Sequence, residues 1–214
     1  MSATAASIVE AATFEWLHWG QSTWNLKTGE KLIAHTDDED AFAQYVIGRY
    51  CSVAGGTPTV DDIQDDRYAW SAVCVSAIMA AAGYTKAEFP FAQSHSTYLR
   101  HFVQARKDRN KQAVYWGRRL TEASATPRPG DLLGYARGDN MTFQKAQAFF
   151  DKTTPYMSHV DIVVARRARE IDVIGGNVRD SVTKKTLPLT ARGLVADRSH
   201  PWFVVLRRRS RPRR

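Results

Sequence analysis

Cysteine is scarce in this chain of 214 residues: Cys51 and Cys74 are the only two. Two cysteines cannot form the disulfide framework of a small secreted scaffold, so the fold has to rest on its core. Long apolar runs are missing too. None approaches the ~20 residues that span a bilayer, and no membrane span is expected. The first twenty residues have neither a basic start nor a continuous apolar segment, so the chain is expected to be made in the cytoplasm without a cleavable signal. The histidines (18, 35, 95, 101, 159 and 200) show no ligand spacing such as H-E-x-x-H. No metal or cofactor is expected.

What is present suits a folded domain. Hydrophobic residues make up 43% and charged residues 24%, an ordinary globular balance. The net charge of +8 suggests a nucleic-acid binder until its location is considered. Six arginines (207, 208, 209, 211, 213 and 214) fall in the last eight residues and leave a body near +2. Residues 1–206 are therefore expected to form one domain, with 207–214 a flexible basic tail. No base-reading motif accompanies that tail, which argues against nucleic acid as a partner.

Periodicity places helices near Ile8–Gly20, Glu39–Cys51, Ala69–Ala82 and Ser94–Gln104, the third apolar on nearly every side. The acidic stretch Asp61–Asp66 reads as a solvated loop. Beyond Pro127-Arg128-Pro129-Gly130 the pattern turns to strands: Asp131–Ala136, His159–Ala165, Ile171–Ile174, Ser181–Pro188 and Trp202–Arg207. A helical insertion near Thr142–Asp151 separates the first two. Helices followed by a mostly antiparallel sheet make an α+β arrangement.

Four constellations carry chemistry. Ser71 stands in the first turn of the apolar helix, where the helix field and unpaired N–H groups favour an anion. Cys74 lies one turn deeper. A plain N-cap serine and a small buried cysteine are the structural alternatives. In Ser158-His159-Val160-Asp161, strand alternation puts His159 and Asp161 on one face, roughly 7 Å apart, as a base and its orienter would be. Gly175-Gly176-Asn177 ends the next strand, where Asn177 can present an amide to an imidazole. His95, in Ser94-His95-Ser96-Thr97-Tyr98, either caps a helix or lines a pocket.

Trp70-Ser71-Ala72-Val73, Phe89-Pro90 through Tyr98, Pro129-Gly130-Asp131-Leu132, His159 to Val164 and Ile174 to Val178 occur in this order. Together they resemble the bacterial family DUF2272, from about Ile8 to Leu206, and more distantly the papain-like amidases and peptidases of the NlpC/P60 and CHAP kind. The resemblance implies a papain-like fold with N-terminal helices packed on the sheet. It also implies a peptidoglycan hydrolase that cuts amide bonds of stem peptides. By position Ser71 takes the place of the usual cysteine, His159 that of the base and Asn177 that of the orienter, with Cys74 and Asp161 as alternatives. Trp70, His95 and Tyr98 are expected to line the substrate site.

Such an enzyme would reach the cell wall or periplasm by phage lysis or by non-classical secretion, as an antibacterial effector. Injection into rivals implies an immunity or inhibitor protein as partner. The alternative is a catalytically inactive binding module for wall fragments or a protein partner, using tryptophans such as Trp16, Trp19, Trp24, Trp70 and Trp116.

Overall fold

Thr4 and Ser7 satisfy each other's backbone N–H groups in a capping box that starts α1, Ala5–His18. The computed structural model describes residues 3–209. A two-stranded ribbon follows, β1 (Ser22–Asn25) and β2 (Lys31–Leu32). The helix expected at 39–51 is present but not uniform: α2 (Asp40–Tyr45) passes into a π-helical segment (Val46–Cys51) and then α3 (Ser52–Ala54). The acidic stretch read as a loop is instead helical, α4 (Val60–Gln64). Thr59 and Asp62 form its capping box, and acidic residues there face the positive end of the helix.

The apolar helix α5 runs Ser71–Ala81 and is buried from Ser71 through Met79. Its small side chains let α1, the π-helical segment, α3, and the sheet approach it closely. α6 (His95–Lys107) packs chiefly on the strand Tyr115–Arg119, and Leu99, Phe102 and Val103 enter the same core as α5. α7 (Phe143–Ala146) and a 3-10 turn (Gln147–Asp151) form the expected insertion.

Six more strands follow: β3 (Tyr115–Arg119), β4 (Leu132–Ala136), β5 (Ser158–Arg166), β6 (Glu170–Gly175), β7 (Thr183–Pro188) and β8 (Trp202–Arg208). One sheet contains all eight in the order β2-β1-β7-β6-β5-β4-β8-β3. Only the β1–β7 pair is parallel. The fold is thus α+β with a mostly antiparallel sheet. Val160 and Ile162 of β5 face the helices, whereas Val163 joins Val173, Leu187 and Trp202 in a second core on the opposite face. Among the described residues no helix is long and apolar enough to cross a membrane.

Residues 207–209, expected in a flexible tail, belong to the fold. Arg207 pairs with buried Asp131 at 3.0 Å. The Arg208 N–H donates to the same carboxylate at 2.8 Å, and its guanidinium reaches the Ala3 carbonyl. Arg209 lies over the Trp116 ring at 3.9 Å. Arg207 and Arg208 end the interior strand Trp202–Arg208, and Arg209 follows it. The rest of the expected tail, 210–214, lies outside the described residues.

Candidate active site

The backbone turns into α5 at Trp70, whose side chain is fully buried. Its indole Nε1–H donates to Asp37 at 2.5 Å, and its ring stacks on Trp19 with centroids 4.9 Å apart. Beneath it Glu15, also buried, accepts from the phenols of Tyr45 and Tyr50. Trp70 is therefore a floor for the helix start, which corrects the expectation that it lines a substrate site.

With Trp70 at the N-cap position, Ser71 is the first helical residue. No side chain caps α5, so Ser71 is not an N-cap serine. Its hydroxyl points away from its own helix, to His95 Nε2 at 2.7 Å. His95 is in turn the first residue of α6, and its Nδ1 contacts the Tyr98 phenol one turn along. Tyr98 is fully buried and therefore holds His95 instead of lining a site.

The second imidazole comes from the sheet. His159, near the start of β5, places Nε2 3.2 Å from Asp161 Oδ1, so alternation does bring these two side chains together. Asp161 Oδ2 forms an ion pair with Lys185 Nζ at 2.8 Å, and all three residues are buried. Tyr135, paired with His159 across β4 and β5, covers its ring at 5.0 Å between centroids. The rings of His95 and His159 are 5.1 Å apart, so the helix-borne and sheet-borne halves meet.

Gly175 leaves the space in which the His159–Asp161 pair lies. A Cβ there would overlap Asp161 Oδ1 and come within 2.9 Å of His159 Nε2. At Gly176 a Cβ would stand 2.5 Å from Cys74 Sγ and 2.9 Å from the Trp70 ring. Gly175 thus leaves room for the His159–Asp161 pair on β5, and Gly176 lets the end of β6 approach the start of α5.

Electrostatics separates the groups. Burial drives the His95 pKa well below 6.5, with help from His159, and Asp161 partly offsets this. Burial also lowers His159, again against Asp161. Burial alone would raise Asp161, but Lys185 and His159 prevail and hold it below the usual carboxylate range. Burial would lower Lys185, yet Asp161 keeps it above its ordinary value. The resting cluster is two neutral imidazoles beside one carboxylate–ammonium pair.

Cys74 is fully buried, and burial pushes its thiol well above the ordinary value, first by desolvation and then by Glu15. A neutral, enclosed thiol is unsuited to attack, so Cys74 fits a packing role. Asn177 sits in the turn after β6 with φ of 52° and has no side-chain hydrogen bond among the described residues. Asp161 occupies the place expected for it at His159. Lys185 was not singled out from the sequence. The signal was its parity with Thr183 and Leu187, which puts a lysine on the inward face of β7.

A cavity of about 180 Å³ opens onto Ser71 and His95, with Arg137, Tyr156 and Ser158 in its walls. A second, about 510 Å³, shares Ala69 and Arg137 with it and holds Asn177, Tyr135 and Trp24. The cleft of about 460 Å³ beside α6 contains none of the candidate residues. Among the described residues no group of His, Cys, Asp and Glu is arranged to hold a metal ion.

No curated protein and no solved structure matches the chain. A family match covers residues 35–208, which include Ser71, Cys74, His95, His159, Asp161, Asn177 and Lys185. The chain belongs to the family described as "Uncharacterized protein conserved in bacteria (DUF2272)".

Proposed function

We propose that this protein is a papain-like hydrolase that cleaves amide bonds in the stem peptides of peptidoglycan, with Ser71 as nucleophile. One observation carries the reading: the Ser71 hydroxyl, at the first residue of a buried helix, lies 2.7 Å from an imidazole nitrogen. The order of elements supports the papain-like layout, with a nucleophile at a helix start followed by a histidine on an antiparallel strand.

In this mechanism His95 takes the Ser71 proton as Oγ attacks the amide carbonyl, because it is the imidazole that the hydroxyl touches. The base expected from the sequence, His159, lies behind it. The N–H groups of Ser71, Ala72 and Val73 precede the first intrahelical bond, from Cys74 to Trp70, and face the developing oxyanion. The imidazolium of His95 is stabilised by the Asp161 charge and returns its proton to the leaving amine. Water, activated by the same imidazole, then releases the ester at Ser71 as a carboxylic acid.

A second reading, a binding module for wall fragments, is favoured by the small entrance: Ser71 is 4% and His95 3% exposed. Sacculi incubated with wild type, Ser71→Ala, His95→Gln and Cys74→Ala, with released products identified by mass spectrometry, separate the two. Release by wild type and Cys74→Ala alone is the hydrolase result. Binding without release, unchanged in Ser71→Ala, is the module result. If the hydrolase is injected into rival bacteria, its producer requires an inhibitor protein that blocks this cleft.

A further inference from the structure

We propose that Lys185 is a positioning residue: through Asp161 it fixes His159 as the neutral tautomer with the proton on Nε2, keeping a second positive charge away from His95. The effect on catalysis rests on the hydrolase reading, whereas the state of His159 does not.

The argument starts from charge in a closed space. Lys185 is fully buried, with Asp161 as its ion-pair partner at 2.8 Å and two aromatic rings near its ammonium. Its Nζ lies 5.2 Å from the Tyr135 ring centroid and 5.6 Å from that of Trp202. A buried ion pair of this kind is costly, and apolar side chains at both 161 and 185 would fill the space at lower cost. Its consequence is electrical. Asp161 keeps one oxygen on Lys185 and turns the other to His159 Nε2. An ionised carboxylate accepts only, so Nε2 must be the donor and carry the proton.

Lys185 also balances the Asp161 charge. Without it the carboxylate would draw a proton onto the His159–Asp161 pair, as a buried unpaired charge does. That proton would reside 5.1 Å from His95, between ring centroids, and oppose the imidazolium formed there. The groups facing His159 are Asp161 from its own strand, Tyr135 from β4, Arg137 just after β4, His95 from α6 and Lys185 from β7. Asp197 adds its field at Lys185. Of these, Lys185 is the cation closed off from solvent, since Arg137 is exposed.

The test is nitrogen NMR of the histidine rings in wild type, Lys185→Arg and Lys185→Met, followed against pH. Wild type and Lys185→Arg should show His159 neutral and protonated on Nε2 at pH 7. Lys185→Met should show the His159–Asp161 pair holding an extra proton at that pH, released roughly 1 pH unit or more higher. The double variant Asp161→Asn/Lys185→Met removes both charges of this pair and covers the case in which Lys185→Met does not fold. In it the Nε2–H preference should disappear. An unchanged His159 tautomer and titration in either variant would overturn the proposal. So would a charged His159 in wild type at pH 7.

On sacculi, the acid limb of kcat/KM should move to higher pH in Lys185→Met and not in Lys185→Arg. A merely structural lysine would lower the amplitude and leave the profile in place. If no variant and no wild type releases product while the NMR result holds, the hydrolase reading fails and the positioning of His159 stands.

Discussion

Gly175→Ala is the smallest change that should dismantle the site. The new methyl group would overlap Asp161 Oδ1 and approach His159 Nε2 to 2.9 Å. Asp161 has nowhere to retreat, because its other oxygen is tied to the buried Lys185 at 2.8 Å. Overpacking of this kind costs about 1–3 kcal/mol, from which ~0.4–1 kcal/mol is recovered through the stiffer unfolded chain. Displacing the ion pair adds to the cost, so a net loss of about 2 kcal/mol is expected. For a chain of this length that lowers Tm by roughly 4–8 °C. Gly48→Ala is the control. Gly48 lies exposed in the π-helical segment with no atom within 4 Å of a Cβ, and the same substitution there should stabilise by about 0.5–1 kcal/mol. Both are measured by urea denaturation at pH 7. Equal stability of the two variants would refute the account of Gly175.

Other perturbations have definite signs. Burial raises Asp37 from 3.8 to about 6, so the folded state holds its proton more tightly than the unfolded chain does. The stabilisation from Asp37 is present below about pH 4 and is lost as pH rises through about 6. Asp37→Asn should abolish that decline in denaturation series at successive pH values; a decline of the same size in the variant would contradict it. Arg207→Ala leaves Asp131 buried with only the Arg208 and Arg128 N–H groups, and should cost roughly 3 kcal/mol in guanidinium melts, where a loss below about 0.5 kcal/mol would contradict the pairing. Cys74 should not react with a thiol reagent in the folded protein, and rapid labelling would contradict its burial. Because burial lowers His95, kcat/KM on sacculi should keep its plateau below pH 6.5, and an acid limb above that value would contradict His95 as base.

The long elements of the fold are legible in the sequence because one period fixes each. α5 is apolar all round, and β5 alternates from His159 to Val164, which is why His159 and Asp161 were placed on one face. The short strands β1, β2 and β3 are not legible. Ser22–Asn25, Lys31–Leu32 and Tyr115–Arg119 are too polar and too brief to show a period; β1 pairs with β7 and β3 with β8, far along the chain, and β2 pairs with β1. α4 was concealed by acidic residues that suit both a solvated loop and a helix start.

The site divides in the same way. Ser71, His159 and Asp161 followed from local patterns. The Ser71–His95 contact joins two helix starts 24 residues apart, and no local pattern encodes it. Asn177 was expected at His159 because it follows the next strand, but its left-handed turn takes it into the neighbouring cavity. Lys185 was hidden because lysine ordinarily reads as solvated, even at an inward position. Arg207 to Arg209 read as a tail by composition, while Asp131, Ala3 and Trp116 draw them into the fold.

Covalent trapping tests the central claim most directly. Wild type, His95→Gln and Ser71→Ala would be treated with a fluorophosphonate, then examined by intact mass and peptide mapping. The account predicts one adduct on wild type, mapped to Ser71, strongly slowed in His95→Gln and absent in Ser71→Ala. An adduct on another residue, or a folded wild type that stays unmodified, would contradict a nucleophilic Ser71.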